Sequence, residues 1–420
     1  MKKKISVLCA LTMTCAVLFG GCKVKYEEDE VKTTSSDKEV TVSDTTAETN
    51  SGIIRIRYTN SAYTEFLNKC KSEYEQKHAG VEIIIEQAEK ENFLVNIRTD
   101  SSEGTNVPDL YLIGSDELST AYLAGLASKV QSETFVNNNY DDVSINACSY
   151  NGTLVAYPLS YKTTFLVYNS KYVNNEKTYT LEDIMNYSDE VDFSQSGMTI
   201  KKIFGCNISA LFMNYGFMGN GMEIGGKDGC NKEIFSVCND TTIRAAEEYY
   251  KLIQFFSLDG KLKYEDSVSE LIAGETVFSI ASTDSIPDIE KSEIDFKYCE
   301  FPDYSNSIKN SPLSIITAVA VNPYGSKTDS AVMFAEFITD EMSDELMECT
   351  GYMSTNKNIY KDGKYEGVYK SYLKSSSKNK LNYGEQVYPL IEIAMHNIAA
   401  GEDVEAELKY IDEYMKKQLG

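Results

Sequence analysis

The sequence predicts an α/β protein built from two lobes, on two observations. Residues 53–58 (IIRIRY) alternate as a strand does, 64–78 place Phe66, Leu67, Cys70 and Tyr74 at helical spacing, and 81–85 (VEIII) read as a buried strand. Strand, helix and strand in that order predict a parallel pair joined by a right-handed crossover. The chain beyond residue 52 also runs to about 370 residues, more than one hydrophobic core sustains, so two lobes are expected.

The 420-residue chain opens MKKKISVLCALTMTCAVLFGGC, with Lys2 to Lys4 basic and an apolar run from Ile5 to Phe19 that is too short for a spanning helix. Residues 1–21 are therefore expected to be an export signal. Small residues, Gly20 and Gly21, precede Cys22, which resembles the lipobox where a bacterial lipoprotein is cut and acylated, for example with palmitate. Phe19 stands where that pattern has an aliphatic residue, and Leu18 lies one place too early. Lipid on Cys22 is the only membrane contact expected, and two or more acyl chains would hold stably. Residues 22–52 are rich in charge, Ser and Thr and form the expected disordered tether, with a reach of roughly 30 Å.

The α/β pattern continues with a helix near 91–98, a strand at 110–113 and a helix at 116–125, for which Ser115 is a candidate N-cap and Gly125 the stop. Strand ends of such a lobe face a common edge, and ligands bind there. The middle of the chain mixes a helix at 241–256 with a strand at 276–281. A very apolar strand returns at 313–321, then a helix at 329–338 and two more over about 384–400 and 402–418.

Composition removes several functions. The formal charge is −24, and the leader carries three lysines and no acids, so its loss gives −27; such a surface argues against nucleic acid as a partner. Beyond the leader and Cys22, seven cysteines remain, an odd number without CxxC spacing, which argues against a metal site or a complete disulfide framework. Free, mostly buried thiols are expected. With only His78 and His396, histidine clusters and triads are poor fits, and no phosphate loop, nucleophile elbow or dinucleotide fingerprint is present. Neither a metal nor a cofactor is predicted.

An ordered set of segments carries more information: IRIRY with SEYEQKHAGVEIII, then 107–130, 155–169, 271–286, 311–341 and 388–408. In this order they resemble the extracellular solute-binding proteins of ABC importers, the group typified by maltose-binding protein, over about 50–418. The resemblance implies a type II periplasmic-binding-protein-like fold, two α/β lobes with three hinge crossings closing over a ligand. Lobe one would be 53–160 plus 311–353, and lobe two 161–310 plus 354–420. The crossings fall near 159–162, 303–311 and 352–355, with Pro158 stiffening the first.

The resemblance also implies ligand-binding residues. Asp116 falls on a carboxylate that binds sugar hydroxyls, Tyr388 on a stacking aromatic, and Lys162 on a position that is acidic in maltose-type proteins. Ile113 and Asp284 fall where those proteins stack tryptophan. With no Trp and 30 Tyr, stacking must come from Tyr or Phe, and Tyr161 and Tyr215 are further candidates. Asp116 could equally begin a helix, and Tyr388 could pack as core.

A sugar is the expected ligand, although Tyr with Asp116 and Asp284 would also suit a cation. The partners implied are a small molecule and ABC permease subunits, with the protein a monomer held at the outer face of the cell membrane. The rival reading is an enzyme, because thiamine pyridinylases use the same fold with a nucleophilic cysteine in the first crossing. Lys162 replaces that cysteine, and binding without turnover is expected. Lys162 should be a protonated cleft-edge residue, donating to ligand or pairing with a carboxylate across the hinge.

Overall fold

The computed structural model describes residues 52–173, 177–191, 200–360, 363–381 and 384–419; the expected signal, Cys22 and nearly all of the tether lie outside them. Eleven strands form two sheets: β1 Gly52–Tyr58, β2 Val81–Gln87, β3 Leu110–Gly114, β4 Tyr157–Lys162, β5 Thr164–Asn169, β6 Lys202–Gly205, β7 Thr276–Ser282, β8 Phe296–Cys299, β9 Leu313–Val321, β10 Met353–Ser354 and β11 Ser376–Ser377. The first sheet runs β2-β1-β3-β9-β4-β10, with β11 also paired to β9, and the second runs β8-β5-β7-β6.

β1 pairs parallel with β2 and β3, and β9 runs antiparallel between β3 and β4. Helix α1 (Thr64–Lys77) crosses from β1 to β2 and buries Phe66, Leu67, Cys70 and Tyr74, the four residues its spacing singles out. In the second lobe α2 (Asp240–Phe256) buries Ala245, Ala246, Tyr249, Leu252 and Ile253. Its first turn is capped by Asn239, whose side chain accepts from the Thr241 and Thr242 N–H groups. Ser115 departs from expectation. The following helix starts at Leu118 with Glu117 as its N-cap, while the Ser115 hydroxyl accepts from the Ile316 N–H at 3.3 Å on the neighbouring strand.

The chain passes between the sheets three times: at Thr163, between β8 and β9, and after β10. Thr163 is fully buried and ties crossing segments together. Its hydroxyl donates to the Leu313 carbonyl at 3.0 Å, and its carbonyl accepts from the Thr283 N–H at 3.0 Å. Pro158 lies inside β4 rather than at its exit, opposite Ala318, where the register between β4 and β9 shifts. Proline has no N–H to give a central ladder, and an irregularity there accommodates it.

Aromatic packing closes the junction. Tyr161 stacks on Tyr372 with centroids 3.8 Å apart and planes 8° from parallel, and Tyr360 stacks on Tyr369 at 4.1 Å. Tyr372 belongs to α3 (Glu366–Leu373), which packs on β5 and β8. Two further helices, α4 (Gly384–Ala399) and α5 (Val404–Leu419), pack on α2 and complete the second lobe. No helix among the described residues is long and apolar enough to cross a membrane.

Candidate functional site

Strand alternation decides what β4 presents at the hinge. Tyr161 turns into the junction core and is 2% exposed, so Lys162 turns the other way, toward a cleft of about 800 Å³. Elements of both sheets line this cleft. The turn after β3 brings Asp116, Glu117, Ser119 and Thr120, and β9 brings Leu313 and Ile315. Facing them are Ala210 to Met213, Tyr264 and Ser282, with Lys378 to Leu381 and Tyr388, Pro389 and Glu392 closing the remaining side.

Asp116 stands at the carboxyl end of β3. Gly114 makes room for it, since a Cβ there would lie 2.6 Å from Asp116 Oδ1. The ammonium of Lys378 approaches the Asp116 carboxylate at 3.7 Å and lies 5.8 Å from the centre of the Tyr388 ring. Tyr388 is half-buried on α4, and its hydroxyl accepts from the Asn379 N–H at 2.8 Å, which orients the ring. Burial pushes the Tyr388 hydroxyl up to about 12, so it remains a neutral donor at ordinary pH.

Lys162 forms an ion pair with Asp284 across the hinge and sits 5.0 Å above the Phe212 ring. Asp284 also accepts from Ser282 and, at 3.2 Å, from the Tyr264 hydroxyl. Burial works to raise its carboxyl, but the charge and hydrogen bonds of Lys162, Ser282 and Tyr264 hold it below the usual carboxylate value. This carboxylate is therefore already satisfied. The pairing with a cationic ligand that the sequence suggested for it has an internal occupant, Lys162.

Two expected contact residues do not reach the cleft. Tyr161 is packed under Tyr372, and Tyr215, 2% exposed, lies in the second-lobe core 6.4 Å from the Tyr388 ring. Both were candidates because a chain without Trp must stack a sugar on Tyr or Phe, and strand or helix phase turns their rings inward. Asp284 is held at the cleft edge by residues that do line it. Asp116, Lys162 and Tyr388 are brought to one cavity.

Sequence reasoning missed Phe212, Tyr264 and the Lys378–Asn379–Lys380 segment. The last lies in SSSKNKLNYG, whose composition reads as solvated loop, yet Lys380 is only 4% exposed. Its ammonium donates to the carbonyls of Asp228 at 2.6 Å and Asn146 at 3.1 Å, and burial lowers its pKa from the ordinary value. Among the described residues no group of three or more His, Cys, Asp or Glu side chains is arranged to hold a metal. Among the described residues the seven cysteines form no disulfide; Cys70, Cys148 and Cys206 are buried and the other four half-buried.

Two lobes, three crossings and a cleft of about 800 Å³ lined from both sheets make an architecture suited to holding a solute. Residues 69–371 match the bacterial extracellular solute-binding proteins, and the chain belongs to that family. No curated protein matches the sequence significantly. Among solved structures the chain resembles an extracellular solute-binding protein from Staphylococcus aureus in complex with maltose (TM-score 0.73, 18% identity, 87% of this chain and 97% of that one). It also resembles a cyclo/maltodextrin-binding protein complexed with maltotetraose (TM-score 0.75, 16% identity, 90% and 99% covered). A maltose-binding periplasmic protein from Listeria monocytogenes in complex with maltose is similar as well (TM-score 0.73, 16% identity, 87% and 97% covered).

Proposed function

We propose that the protein captures an oligosaccharide by closure of its lobes and delivers it to an ABC import permease while held to the outer face of the membrane by lipid on Cys22. The observation that carries the sugar reading is the cleft itself. It offers Asp116 and Lys378 as hydrogen-bonding groups beside the Tyr388 ring, an arrangement suited to hydroxyls on one edge of a sugar and C–H groups on its face. The solved neighbours, crystallised with maltose or maltotetraose, point the same way. Ligand contacts are assigned to Asp116, Lys162 and Tyr388, with Phe212 and Tyr264 on the opposing wall.

Binding without turnover is the second part of the reading. Lys162 is engaged by Asp284 and offers no free amine for attack, so a pyridinylase-like reaction has no nucleophile at that position. A thermal-shift screen of oligosaccharides tests the ligand class. A ligand at ~100 times its dissociation constant should stabilise the folded state by about 2.7 kcal/mol. A flat response across the whole panel would falsify the sugar reading.

A further inference from the structure

We infer that Lys378, Asn379 and Lys380 form a subsite for an acidic group, so that the cleft selects an oligosaccharide bearing carboxylates, such as a uronate, over a neutral one. This inference rests on the sugar reading above and narrows its ligand class.

The segment combines two deficits that one anion would relieve. Lys380 is 4% exposed, and among the described residues no carboxylate lies within ion-pair distance of it. Its ammonium donates to two neutral carbonyls, and the carboxylates of Asp228 and Asp116 act on it only from beyond ion-pair distance, which leaves a third ammonium proton without an acceptor and the charge without a contact partner. Asn379 is 5% exposed; its Oδ1 accepts from the Leu381 N–H at 3.2 Å, while its Nδ2 is near the Tyr388 hydroxyl but makes no hydrogen bond of good geometry. An unsatisfied buried donor is costly, and both residues line the cleft. A carboxylate only accepts, with two oxygens and about four lone pairs, so a single group could take protons from Asn379 and Lys380. A sugar hydroxyl could satisfy Asn379 but would leave the charge unmatched.

The acids nearby are committed elsewhere. Asp228 accepts from the Gly152 N–H at 2.9 Å and the Cys230 N–H at 3.1 Å, Asp116 faces Lys378, Glu392 accepts from the Leu211 N–H at 3.3 Å, and Asp284 is paired with Lys162. The competing account makes Lys380 a strut, since its N–H donates to the Gly229 carbonyl and its ammonium reaches Asn146 and Asp228. A strut affects acidic and neutral ligands alike, and an anion subsite does not.

Titration calorimetry on the full mature chain separates these accounts, using trigalacturonate, its neutral methyl ester, maltotriose and a sulfated trisaccharide. Trigalacturonate should bind roughly tenfold or more tightly than its ester. Lys380→Met and Asn379→Ala should each bring the acid-to-ester affinity ratio down to about one, whatever either does to the affinity for neutral sugar. If Lys380→Met does not fold, Asn379→Ala and the acid-to-ester ratio of the wild type still decide. A sulfated sugar that outbinds the uronate supports the anion subsite with sulfate in place of carboxylate. Equal or tighter binding of the neutral sugars overturns the subsite but leaves the sugar reading standing, whereas no binding by any of the four overturns both. Equal losses for acidic and neutral sugars in Lys380→Met would assign the strut.

Discussion

Lys162 and Lys380 line the same cleft from different segments, one at the end of β4 and the other in the polar stretch before α4. The Lys162 side chain is 42% exposed and meets the Asp284 carboxylate; Lys380 is buried and meets only carbonyl oxygens. Water and a contacting counter-charge meet the first lysine within the protein, whereas the second is shielded from water and has no carboxylate in contact. Availability of charge in this cleft thus follows from burial and partners, not from residue type.

The same charge reversal at both positions should give the largest contrast. Lys380→Glu places a carboxylate beside two carbonyl oxygens in a buried site, and a loss of about 3–5 kcal/mol is expected by urea denaturation. Lys162→Glu, at a half-exposed position, should cost about 1 kcal/mol or less. Equal costs at the two sites would remove the distinction between them.

The next effect concerns the wall between the two lysines. Tyr388→Ala and Asp116→Ala should each weaken ligand by about 2 kcal/mol or more without unfolding the protein, checked by calorimetry and circular dichroism. Wild-type affinity in both variants would move them from the site to the scaffold.

A pH comparison sharpens the contrast further. Burial lowers the Lys380 pKa from 10.5, so between its folded value and 10.5 the unfolded chain holds a proton that the folded chain has released. Stability from this group rises with pH through that window, with Cys148, Cys230, Asp228 and Asp116 as the surrounding titratable groups. The stability of wild type relative to Lys380→Met should accordingly increase as pH rises toward 10.5, measured by denaturation at several pH values. A relative stability that falls over this range would contradict the assignment.

Asp284 supplies the smallest effect, at the acid end. Its folded pKa lies below 3.8, so its contribution is fully present above 3.8 and is lost as pH falls through the folded value. Lys162→Met should shrink that acid-side loss and cost less than about 1 kcal/mol at neutral pH.

Periodicity made much of the frame legible. Strand β9 at 313–321 and helix α1 were readable because their apolar spacing is both cause and consequence of burial against one face. Tyr161 and Tyr215 show where that legibility stops. Each is a tyrosine that could stand in for the missing tryptophans, yet its side is set by the phase of an element packed against residues far along the chain; Tyr372 covers Tyr161 from 211 positions away.

From residues alone, the two-lobe α/β class and the order of its elements could be derived, because local periodicity survives without coordinates; Asp116, Lys162 and Tyr388 were singled out only by the resemblance to solute-binding proteins. Tertiary structure alone decided that Asp284 is already neutralised, that Lys380 in a polar loop is buried, and that the Asn379 amide lacks a well-formed hydrogen bond. Those properties depend on which distant carbonyls and carboxylates arrive beside a side chain, and such encounters between segments leave no periodic trace in the chain.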